Sequence, residues 1–242
     1  MAVIPRVMLG ADTLAFQNAS KIVCIGRNYM DHINEMKSAK PKKPFFFLKP
    51  PSSILLPGTG PILRPRGVVL HHEVELALIM GKRLKKLDVS EDKRAEQAIQ
   101  SYALAIDVTA RNIQDEAKKK GLPWDIAKGF DTFLPLSQAI PKSSIPDPYN
   151  AEIFLHVNGQ PRQRDSTGNM MHRIPRILSE IAKVMTLFPG DIVLTGTPAG
   201  VGPVEAGDLI RAGIMVDREE IEEGVIEVPV QESTTSYRYT ET

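Results

Sequence analysis

The stretch His71–Lys82, HHEVELALIMGK, constrains this chain more than any other. From His72 to Met80, Val74, Leu76, Leu78 and Met80 fall on one face, and Glu73, Glu75, Ala77 and Ile79 on the other. A period of two is that of a β-strand. The strand therefore carries two carboxylates on one side of a mostly apolar element, about 7 Å apart at their Cα atoms. Such an arrangement is costly unless something neutralises it. Taken alone, the two acids fit a solvated outer face or an ion pair with Lys or Arg as well as they fit a metal site.

Asp107 shifts the balance. It ends the apolar run Tyr102–Ile106, where Ala103, Ala105 and Asp107 share a face, and the small side chains leave room beside the carboxylate. Three carboxylates at strand positions, with no Cys or His cluster, favour a hard cation such as Mg²⁺ or Mn²⁺ over zinc. Water and substrate would complete the coordination.

With 242 residues the chain can bury one large core. Lys+Arg is 30 and Asp+Glu is 29, a balance that argues against a general grip on nucleic acid. No run is apolar and long enough to span a membrane as a helix. The lone Cys24 lies in the run Ile22–Ile25; it excludes an internal disulfide or a multi-cysteine zinc site and reads as a small buried hydrophobe. We expect an N-terminal extension over 1–20, a main domain over 21–230 and a polar, loosely ordered tail over 231–242. The extension is acid-poor and apolar, a faint mitochondrial-presequence pattern with too little Arg.

The remaining elements are expected as follows. Strands run over Lys21–Ile25, Phe45–Leu56, Ser101–Val108, Ile192–Thr195, Leu209–Val216 and Gly224–Val230, with a hairpin turning at Asn158-Gly159. Helices cover Arg27–Met36, capped by Asn28 or Asp31, then Glu91–Gln100 capped by Ser90, Thr109–Lys120 stopped by Gly121, and Ile174–Phe188.

Several groups are placed to serve chemistry. His32 and Glu35 share a helix face, and a carboxylate beside an imidazole raises its basicity, as a general base for water requires. By itself this spacing is an ordinary exposed helix turn. Arg27, Asn28 and Tyr29 follow a buried strand, where ligand contacts often lie. Arg111 and Gln114 share one side of the helix after Asp107, and Lys128 is either a substrate-facing acid or a surface lysine. Gly196–Gly202, with Thr197, could offer backbone N–H groups to an oxyanion.

The set as a whole resembles the fumarylacetoacetate hydrolase family, in its short members related to mitochondrial acylpyruvase and oxaloacetate tautomerase/decarboxylase proteins. The resemblance rests on IGRNYMDHINEM at Ile25–Met36, PFFFLKPPSSI at Pro44–Ile54, HHEVELALIMGK, AIDVTARNIQDEAKKKGLPWDIAKGFDTF at Ala105–Phe133 and PGDIVLTGTPAGVG at Pro189–Gly202. It implies a β-rich α+β fold, a rolled mixed sheet with peripheral short helices, in a two-fold homodimer. It implies metal ligands at Glu73, Glu75 and Asp107, a water-orienting pair at His32 and Glu35, a catalytic lysine at Lys128, and substrate contacts or support at Arg27, Arg111, Gln114 and Thr197. The implied substrate is a small 2-oxo acid, whose enolate the metal would stabilise as a Lewis acid. Oxaloacetate tautomerisation comes first; oxaloacetate decarboxylation and acylpyruvate hydrolysis are alternatives, and a non-catalytic metal- or metabolite-binding protein is the remote one. The implied compartment is the mitochondrion, otherwise the cytoplasm. Asp165 departs from the pattern, standing where a glycine is expected beside the pocket.

Overall fold

The computed structural model describes Phe16, residues 19–36 and residues 39–241. The faint presequence pattern therefore lies almost entirely outside the described residues. The fold is a mixed α+β arrangement, mostly sheet with short helices.

The strand expected over His72–Met80 breaks at Glu73, which separates β5 (Leu70–His72) from β6 (Val74–Met80), and β6, with Glu75, sits inside a six-stranded sheet. Its members, in spatial order, are β10 (Ile140–Pro141), β7 (Ile99–Ile106), β6 (Val74–Met80), β13 (Ile192–Leu194), β1 (Ile22–Gly26) and β2 (Phe45–Lys49). Every residue of β6 is buried, because the strand is covered on both faces. Leu76, Leu78 and Met80 join the larger core, shared with a second sheet. That sheet runs β12 (Gln160–Ser166), β11 (Ala151–Val157), β15 (Leu209–Val216), β17 (Ile226–Glu232) and β4 (Ile62–Arg64), with β16 (Glu219–Glu220) beside β15. Ala77 and Ile79 join a smaller cluster with Cys24, Ala103 and Ala105 on the opposite face.

Register explains why carboxylates are tolerated there. Glu75 stands directly opposite Ala105, and Ala77 opposite Ala103, so methyl groups leave the space beside the acids. On the far side of the sheet, β2 places Phe45, Phe47 and Lys49 on one face by the same period of two. A three-stranded sheet of β14 (Gly202–Val204), β5 (Leu70–His72) and β8 (Thr109–Ala110) closes one end, and β3 (Ile54–Leu55) pairs with β9 (Leu134–Pro135).

The helices are shorter than their sequence patterns suggest. Helix α1 covers Met30–Glu35 with Tyr29 at the cap position and no side-chain cap, so neither Asn28 nor Asp31 caps it. Asn28 has other partners, described below. Helix α2 is Asp92–Ala98, with Glu91 rather than Ser90 at its cap. Helix α3 begins at Arg111, not Thr109, because Thr109 and Ala110 pair with His71 and Leu70 as β8. It ends at Lys120 where Gly121 takes a left-handed φ of 67°. Helix α4 is the single turn Asp125–Lys128. Helix α5, Ile174–Val184, stops short of Phe188 because Leu187 pairs with Leu84 instead. The tail is tied down rather than loose. β17 runs through Glu232, Tyr239 N donates to Arg66 O at 2.9 Å, and Tyr237 packs on Phe130.

Candidate active site

Glu73, Glu75 and Asp107 converge. Each offers a carboxylate oxygen within 4.8 Å of the others, and all three are buried. Glu75 lies on β6, Glu73 at the break between β5 and β6, and Asp107 just past the end of β7, its N–H donating to Glu73 O at 2.7 Å. The expected triad is thus one cluster at the end of the central sheet.

Three buried cations face it. Lys128 Nζ donates to Asp107 Oδ2 at 2.6 Å, Glu73 Oε2 at 3.0 Å and Thr109 Oγ1 at 2.7 Å. Lys49 Nζ donates to Asp107 Oδ1 at 2.8 Å and Val108 O at 3.1 Å. Arg111 donates to Glu73 Oε1 and Gln114 Oε1, both at 2.5 Å. Its Nε meets His71 Nδ1 at 3.3 Å, which requires that ring nitrogen to be unprotonated.

The acids are not equivalent. Burial would raise the Glu73 carboxyl, but Lys128 and Arg111 outweigh it and hold it well below the carboxylate range. Among the described residues, Glu75 has no cation in contact and accepts only from Gly196 N, at 2.6 Å. Burial, then the Asp107 and Glu73 charges, push its carboxyl well above the usual range. A buried carboxylate without a cation, beside two others, is a setting that a divalent cation relieves. The all-oxygen donor set fits Mg²⁺ or Mn²⁺.

The pocket above the triad is lined by Arg27, His32, Phe45, Phe47, Arg111, Gln114, Lys118, Trp124, Lys128 and Thr197, besides the three acids. Most residues singled out by the sequence are therefore brought together. Arg27 reaches the rim from a left-handed backbone (φ 57°), its guanidinium stacked over Phe45. His32 Nδ1 lies 3.4 Å from Glu35 Oε2. Burial lowers the His32 pKa; Glu73 and Glu35 oppose it without reversing it, so the imidazole is neutral near pH 7. Glu35 itself does not line the pocket; it accepts from Gly200 N at 3.1 Å and pins α1 to the Gly196–Gly202 loop.

Asn28 is not brought to the pocket. It is fully buried, donating to Thr195 O at 2.8 Å and His172 O at 3.1 Å, and accepting from His172 N at 2.7 Å. Its amide is consumed by backbone, so it joins strand ends rather than meeting a ligand. Asp165 also stands apart, paired with Ile153 in β12, its carboxylate accepting from Ser166 N at 2.7 Å and Asn169 Nδ2 at 2.6 Å. Sequence reasoning missed Lys49, Thr109 and Gln163. Lys49 had a signal: a lone cation closing the apolar strand Phe45–Lys49 must find an acid when buried.

Sheets with helices at their margins surround a buried carboxylate triad, faced by lysine and arginine, that could hold a divalent metal ion. Residues 21–231 match the family model for the fumarylacetoacetate hydrolase C-terminal domain, and the chain belongs to that family. The mitochondrial oxaloacetate tautomerase of Schizosaccharomyces pombe is 52% identical over 202 residues, covering 84% of this chain and 91% of that protein. A yeast fumarylacetoacetate hydrolase family protein superimposes with a TM-score of 0.85 at 40% identity, over 94% of this chain and 99% of its own. The fumarylpyruvate hydrolase of Pseudomonas aeruginosa, solved with Mn²⁺ and pyruvate, superimposes with a TM-score of 0.79 at 32% identity, over 89% of this chain and 91% of its own.

Proposed function

We propose that this chain is an oxaloacetate tautomerase that converts the enol form of oxaloacetate to the keto form. The observation that carries this reading is the charge arrangement: three buried carboxylates meet three buried cations, Lys49, Arg111 and Lys128. With a divalent ion held by Glu73, Glu75 and Asp107, these buried groups carry a net positive charge, to which Arg27 and Lys118 in the pocket wall add, and this suits an anionic substrate such as a dicarboxylate. Mg²⁺ or Mn²⁺ there supplies Lewis acidity toward the oxygens of a 2-oxo acid.

The protein's own groups do the rest. Burial lowers the Lys128 pKa, but in the metal-free site Asp107 and Glu73 more than compensate and favour the ammonium. It is an acid that can deliver a proton to substrate C3, while the enol proton departs to solvent and the amine is recharged from water. Arg27, Arg111, Gln114 and Thr197 orient the anion from the pocket wall. The relative from S. pombe, named an oxaloacetate tautomerase, supports this substrate. Decarboxylation of oxaloacetate draws on the same groups.

One observation favours a second activity, hydrolysis of acylpyruvates. Neutral His32, beside Glu35, is suited to take a proton from an attacking water, and the fumarylpyruvate hydrolase likeness supports it. A passive metabolite binder has no need of such a dyad. We further infer a symmetric homodimer and a mitochondrial location, the latter supported by the mitochondrial relative. Paired kinetics test the division of labour. His32→Ala should cut acetylpyruvate hydrolysis by about 10²–10⁴-fold and slow tautomerisation much less. Lys128→Met should damage both. Equal losses in the His32 variant would assign the dyad to proton transfer at C3 instead.

A further inference from the structure

Gln163 lies on β12, is 1% exposed and is not part of the pocket wall. Its carboxamide nonetheless joins the metal strand to the pocket loop. Oε1 accepts from Val74 N at 3.0 Å and lies 2.9 Å from His72 Nδ1. Nε2 donates to Thr197 Oγ1 at 2.8 Å and to Pro198 O at 2.9 Å.

The two ends of a carboxamide are told apart only by their partners. Here two backbone groups decide. Val74 N–H can only donate and Pro198 C=O can only accept. The flipped amide would oppose two donors at Val74 and two acceptors at Pro198, all buried, where unmade hydrogen bonds are expensive. One orientation remains, and it has two consequences. His72 must present Nδ1–H to Oε1, leaving Nε2 bare; that nitrogen is buried and among the described residues has no partner. Thr197 Oγ1 must accept from Gln163, so its own proton points away from the amide. Thr197 lines the pocket, and among the described residues its hydroxyl finds no acceptor for that proton.

We propose that Gln163 is a positioning residue that makes Thr197 an obligatory hydrogen-bond donor to an anionic oxygen of the substrate. A threonine hydroxyl otherwise rotates and serves as donor or acceptor. Locked, it favours a carboxylate or enolate oxygen over a neutral hydroxyl. What the proton meets rests on the 2-oxo acid reading above; the direction in which it points does not.

Two measurements test this. The first uses the unaltered protein: ¹⁵N chemical shifts of labelled His72 should report the Nδ1–H tautomer. An Nε2–H tautomer means the amide is reversed, and overturns the proposal. The second is a double-mutant cycle on enol-oxaloacetate at saturating Mg²⁺. Thr197→Val should raise KM about tenfold with kcat little changed, as loss of a hydrogen bond to a charged group does. Gln163→Met should do the same, and the double variant should be no worse than Thr197→Val. Gln163→Glu should fall with Gln163→Met, because its carboxylate captures the Thr197 proton, whereas Thr197→Ser should keep wild-type KM. Unchanged Mn²⁺ affinity in each separates this from collapse of the triad. Equal losses from Thr197→Val in wild-type and Gln163→Met backgrounds would overturn the proposal. If the Gln163 variants do not fold, the His72 tautomer decides. If the wild type ignores enol-oxaloacetate, the functional reading fails, and the tautomer still tests the orientation.

Discussion

Glu73, just before β6, and Glu75, on it, are two residues apart, yet they live in opposite electrostatic settings. Glu73 is gripped by Lys128 and Arg111, while Glu75 has a single backbone donor. Removing one partner of a buried ion pair strands the other charge, but Glu75 has no such partner to strand. Glu75→Gln should therefore leave the urea midpoint of the metal-free protein unchanged or higher, since it removes a repulsive charge. It should weaken Mn²⁺ binding at least tenfold by calorimetry. A lower midpoint with unaltered Mn²⁺ affinity would mean that Glu75 is a structural acid. His32 gives a pH signature. Its pKa is depressed by burial, so the neutral base persists as pH falls below its ordinary value near 6.5. The acid limb of kcat/KM for acetylpyruvate hydrolysis should lie below that value, and His32→Ala should abolish the limb; a limb above it contradicts the assignment. At this scale the sequence made the triad legible because acids on an apolar strand demand an explanation. Gln163 was not legible, because a lone glutamine carries no such demand, and Asn28 misled because a polar residue in a strand-end loop can serve backbone as readily as a ligand.

Among the elements, the loop Gly196–Gly202 connects most of the site. Gly196 N holds Glu75, Thr197 faces the pocket and Gly200 N holds Glu35. Gly200 has a φ of 93°, and a Cβ there would stand 2.0 Å from Arg162 O, a backbone atom. Gly200→Ala should cost about 2–4 kcal/mol by urea denaturation, from left-handed strain plus the forced shift of β12. A cost under ~0.5 kcal/mol, the range of ordinary surface changes, would show that the loop adapts freely. Most strands were read more faithfully than helices, but the strand expected over Phe45–Leu56 divides into β2 and β3, because Pro50 and Pro51 turn the chain into a 3-10 turn over Pro51–Ser53. A period of two survives wherever both faces are buried, as in β6 and β7. Helix ends depend on partners distant in sequence: Thr109 and Ala110 look helical until β5 claims them, and Leu187 until Leu84 does.

For the whole molecule, a divalent ion held by the triad would tie folding to metal. An ion that binds only the folded state should stabilise it by about 2.7 kcal/mol at a hundredfold excess over Kd. Mg²⁺ or Mn²⁺ should raise Tm and chelator should reverse the rise, whereas Glu75→Gln should lose most of it; an unresponsive wild-type Tm would contradict a metal site here. Light scattering should give twice the 26.7 kDa chain mass if the homodimer forms, and the chain mass alone would refute it. Charged with a divalent ion, the triad should serve the enol–keto exchange of oxaloacetate. The most direct measurement is the decay of enol-oxaloacetate absorbance in the presence of enzyme with Mg²⁺, enzyme with chelator, and Glu75→Gln with Mg²⁺. Decay should be fast in the first and should run at the uncatalysed rate in the other two. Equally fast decay with chelator, or from Glu75→Gln, would contradict it.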